Sequence, residues 1–78
     1  MEVIQTKKIA SVELAEVLVS ADEIEIYQKA LEFALSEMSE DEIEDKFGAT
    51  HDEIKGVLGD LRQAAKACME NQSESVLA

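Results

Sequence analysis

The chain has 78 residues, with 18 acidic side chains against 7 basic ones and a formal charge of −11. That length allows one domain with a thin core, and that charge disfavours duplex DNA, RNA and anionic membranes as general partners. Proline is absent, aromatic residues make up 4%, Ala, Leu, Glu and Lys are abundant, and clustered β-branched residues are read as few, so composition predicts an all-α fold.

Met1 to Ala10 shows no clean period of either kind and is expected to be an arm, either extended or turning helical from Thr6. A single helical domain is expected over residues 11–70. From Ser11, a candidate N-cap, Val12, Leu14, Ala15, Val17, Leu18 and Val19 leave only Glu13 and Glu16 as a polar strip, the pattern of a helix that its neighbours almost surround. Ser20 then opens a longer central helix, with Asp22 and Glu23 where negative charge meets the positive end of the helix dipole. On this helix Ile24, Tyr27, Leu31, Ala34, Leu35 and Met38 form one stripe, which Ile26, Ala30 and Phe33 widen to roughly 200° of arc. One neighbouring helix cannot cover that arc, so the excess on the first two helices predicts a homodimer.

The stretch from Ser39 to Leu61 reads as helix, turn, helix. Ser39 with Glu42 and Thr50 with Glu53 have capping-box spacing, and Gly48 stands where the first of the pair must stop. The third helix, Glu40 to Phe47, is expected to bury Ile43 and Phe47. The fourth carries Ile54, Leu58, Leu61, Ala65 and Cys68 as an apolar seam to about Glu70. Residues 71–78 have neither cap nor period and are expected to fray. The predicted architecture is a bundle of about four helices.

Residues Glu40 to Gly59, EDEIEDKFGATHDEIKGVLG, resemble the helix-turn-helix superfamily, with Ile43, Phe47, Gly48, Ala49, Ile54 and Val57 at its apolar and glycine positions and Thr50 at the cap of its second helix. The resemblance implies a dimeric DNA-binding regulator. It would place Thr50, His51, Asp52, Lys55, Gly56 and Gly59 toward the bases, a set with few long donors and one carboxylate facing the groove. Glu44 stands where that family prefers a small residue.

Charge sets the order of the functional readings. Glu40, Asp41, Glu44 and Asp45 form an acidic helix face that suits a basic protein surface or, by imitation of a phosphate backbone, an enzyme that acts on nucleic acid. Phage and mobile-element inhibitors of such enzymes fit that description. Against this, Lys55, Arg62 and Lys66 fall within about 40° of one another on the fourth helix, with Gly59 between them, so a basic ridge crosses an acidic molecule. The expected function is therefore a non-enzymatic regulatory or interaction protein working through protein contacts, with sequence-specific DNA binding as the alternative.

Single residues add little chemistry. His51 has no second His or Cys at ligand spacing, and Cys68, the lone cysteine, is expected as a buried inert thiol in a reducing cytosol. No nucleophile, base and orienting group can be assembled, and no cofactor is expected. The Asp-Ser-Leu triplet of acyl carrier proteins is also missing; Ala10-Ser11-Val12 is the nearest approach to it.

Overall fold

In a computed structural model, described over residues 1–77 and for side chains as far as Glu70, the chain is mixed α/β and not all-α. Two strands, β1 (Glu2–Ile9) and β2 (Val12–Leu18), form an antiparallel hairpin; α1 (Ala21–Glu37), α2 (Glu40–Phe47) and α3 (His51–Leu77) follow. Three helices thus stand where about four were expected. The arm expected over residues 1–10 is β1, and the helix expected from Ser11 is β2.

The physical reason lies in where the β-branched residues are. Seven of the chain's fourteen Val, Ile and Thr residues (Val3, Ile4, Thr6, Ile9, Val12, Val17 and Val19) fall in the first quarter of the sequence. Their restricted χ1 suits a pleated surface better than a helix, and an average over the whole chain hides the concentration. The register pairs Gln5 with Glu16, Lys7 with Leu14 and Ile9 with Val12, which puts all six side chains on one face; Thr6, Lys8, Glu13 and Ala15 share the other. Glu16 therefore sits beside Val12 and Leu14 and spoils the alternation that would have marked a strand. Its carboxylate is held there by Lys7 Nζ at 2.8 Å. Ile4 occupies a register shift between Val3 and Gln5, a bulge that increases local twist.

The helices begin and end where their capping residues stand. Ser20 Oγ accepts from the Glu23 amide at 3.1 Å to open α1. Both capping boxes are closed: Ser39 and Glu42 exchange two bonds of 3.2 Å, and Thr50 and Glu53 exchange bonds of 3.0 and 3.1 Å. Gly48 stops α2 in the left-handed region at φ 68°, its N–H donating to the Glu44 carbonyl. The expected frayed segment, 71–78, lies beyond the described side chains.

α1 packs along α3, and α2 touches α3 more lightly. Among the described residues, those buried are Ile24, Ala34, Ile43, Ile54 and Leu58. Ile43 is the one side chain of α2 that is enclosed, and Phe47, expected in the core, stays 46% exposed. A single short helix in light contact cannot close over both. The missing first helix has a larger consequence: with no helix on that side, Ile26 and Phe33 on α1 are left 63% and 66% exposed. The hairpin does not replace it, since Val3, Ile9, Val12, Leu14 and Leu18 are themselves exposed.

Candidate interaction surfaces

Three surfaces stand out, and the first is acidic. The turn at Gly48 folds α2 back toward the start of α3, so that Glu40, Asp41 and Glu44 line one groove with Thr50, His51 and Asp52. Two helix starts meet there, each fixed by its capping box. Among the described residues the carboxylates of Glu40, Asp41, Glu44 and Asp52 have no cation within ion-pair distance. Asp45, the fourth residue of the expected acidic face, is exposed on α2 and does not line the groove. Glu53, just behind it, is pulled below the usual carboxylate range, first by the Thr50 backbone N–H and then by the Thr50 hydroxyl. Among the described residues no group of three or more His, Cys, Asp or Glu side chains is arranged to hold a metal ion.

The basic ridge is the second surface. Lys55, Arg62 and Lys66 are all exposed on α3, and Gly59 between them is half-buried. Arg62 Nη2 reaches back to Glu32 Oε1 on α1 at 3.5 Å, an exposed pair that draws one of the three cations toward the protein itself. A Cβ built on Gly56 or Gly59 would meet no neighbouring atom within 4 Å, so the surface beside these glycines is open. Cys68, expected to be buried, is half-buried.

The third surface is the hairpin, which stands where the sequence predicts an arm and an apolar helix. Its apolar side chains lie in solvent on an element whose outer edges are unpaired. It is also electrically unlike the rest of the molecule. Residues 1–19 carry Glu2, Glu13 and Glu16 against Lys7 and Lys8, a net −1; residues 20–78 hold fifteen acidic side chains against five basic, a net −10. The signal that could have found this element is the local density of β-branched residues.

No helix among the described residues is long and apolar enough to cross a membrane. Comparison with family models, with curated proteins and with solved structures returns no match for the chain.

Proposed function

We propose that the chain is a small acidic, non-enzymatic regulatory protein of the cytosol that acts through protein–protein contacts, its helical body engaging a partner with a basic surface. The supporting observation is the convergence of Glu40, Asp41, Glu44 and Asp52, from two separate elements, on one groove without an internal cation. A surface of that kind repels nucleic acid and draws Lys- and Arg-rich protein surfaces by long-range steering. A nucleic-acid enzyme is the partner class that fits this chemistry, with the chain as its inhibitor, of the kind that phages and mobile elements carry.

Two substitution sets separate this reading from DNA binding. Replacing Glu40, Asp41 and Glu44 by Gln, Asn and Gln should release a basic partner captured from lysate of the source organism, while helical circular dichroism is unchanged. A gel shift of random duplex fragments that is lost on Lys55→Glu with Arg62→Glu, the fold intact, would establish the ridge as a DNA contact and overturn the proposal. Partner capture insensitive to the acidic substitutions would equally remove the groove from the argument.

A further inference from the structure

Both apolar surfaces left open by the fold have matching dimensions. At about 3.3 Å per residue a hairpin of seven to eight residues per strand is about 25 Å long, and at 1.5 Å per residue the seventeen residues of α1 span about 25 Å. The exposed stripe of α1 is Ile26, Ala30 and Phe33. The hairpin face that bears Ile9, Val12 and Leu14 also carries Gln5 and the Lys7–Glu16 pair, whose opposite charges are bound to each other. Within one chain these two surfaces do not meet.

We infer that the hairpin of each chain lies over the Ile26–Ala30–Phe33 stripe of a second copy, in a reciprocal two-fold exchange. Area supports a second copy as the occupant. A compact monomer of 8.6 kDa exposes about 4,700 Å², whereas this chain exposes 6231 Å². The excess is about 1,500 Å² per chain, or about 3,000 Å² for two, within the range of obligate homodimers.

Charge favours this contact over any other between two copies. Bodies of net −10 repel one another, but a hairpin of net −1 can approach the partner's α1 at little electrostatic cost. Isolated two-stranded hairpins are marginal in water and need a third element on one face, and the second copy's α1 supplies it. Two-fold symmetry then satisfies both orphan surfaces at once, because each copy is donor and acceptor of the same contact. The acidic groove on α2 and α3 stays free, so the exchange is independent of the function proposed above.

Sedimentation of the full chain from low to high micromolar concentration tests this. The expected result is a dimer that Leu14→Glu on the hairpin and Phe33→Glu on the helix each weaken more than tenfold, with helical circular dichroism unchanged, since both side chains are exposed in the single chain. Amide hydrogen exchange of the unmodified protein gives a second readout: β1 and β2 should gain protection as concentration rises. A monomer throughout, a dimer indifferent to either substitution, or strand amides whose exchange ignores concentration would overturn the exchange.

Discussion

Ala10 and Gly48 both have positive φ, 56° and 68°, and only one of them is the residue that tolerates it. Ala10 opens the two-residue turn between Ile9 and Val12, where hairpins ordinarily place Gly or Asn. A Cβ in the left-handed region costs about 1–2 kcal/mol, against about 0.5–1 kcal/mol of extra chain entropy that Gly loses on folding. Ala10→Gly should therefore stabilise the hairpin by up to about 1 kcal/mol, seen as slower amide exchange in β1 and β2. Gly48→Ala is the opposite substitution. A Cβ there meets nothing within 4 Å, so the cost is backbone strain, offset in part by the same chain entropy, and a net loss of up to about 1 kcal/mol in chemical denaturation is expected. A Gly48→Ala protein with wild-type stability would mean that the turn is not left-handed in solution.

At the scale of the element, each helix start is a closed arrangement of side chain and backbone, and the one at α3 titrates. Hydrogen bonds from Thr50 favour the charged form of Glu53 and lower its pKa in the folded protein. A carboxyl with a depressed folded pKa stabilises fully above its unfolded value, about 4.3 for Glu, and loses that contribution as pH falls through the folded value. Glu53→Gln keeps the capping geometry but cannot titrate. The melting temperature of the wild type should exceed that of Glu53→Gln near neutral pH, and the gap should close as pH drops below about 4. A gap that is constant from neutral to acid pH would show that the carboxylate charge contributes nothing at this cap. By contrast, β2 has no such local device, and its strand character rests on pairing with β1.

For the whole molecule, the separation of a near-neutral hairpin from a body of net −10 gives its two proposed contacts opposite responses to salt. Self-association through the hairpin brings two acidic bodies close, so screening at higher ionic strength should tighten it. Binding of a basic partner at Glu40, Asp41 and Glu44 depends on attraction over distances comparable to the Debye length, about 10 Å at 0.1 M, so the same salt should weaken it. Measuring both affinities across one salt series checks the assignment. If the two affinities move in the same direction, the two surfaces are not electrically distinct in solution.

By itself the sequence determined what depends on neighbours a few positions apart. Ser20, Ser39 and Thr50 mark the helix starts, Gly48 marks the stop, and Ile24, Ala34, Ile43, Ile54 and Leu58 fall on the buried side at helical spacing. The joining of Glu40, Asp41 and Glu44 with Asp52 was only half legible, because their order along α2 is local but their approach to α3 requires the turn to be folded. Only the tertiary structure decided residues 2–18. Val12 to Leu18 carries a helix-like spacing of Glu13 and Glu16, and the turn at Ala10-Ser11 lacks the usual glycine, so the local density of β-branched residues was the one signal that opposed a helix. Strand pairing between Ile9 and Val12, and on to Glu2 and Leu18, is a cooperative property of two segments. Neither segment reveals it alone, because a strand's hydrogen bonds are all made to a partner, whereas a helix makes its own.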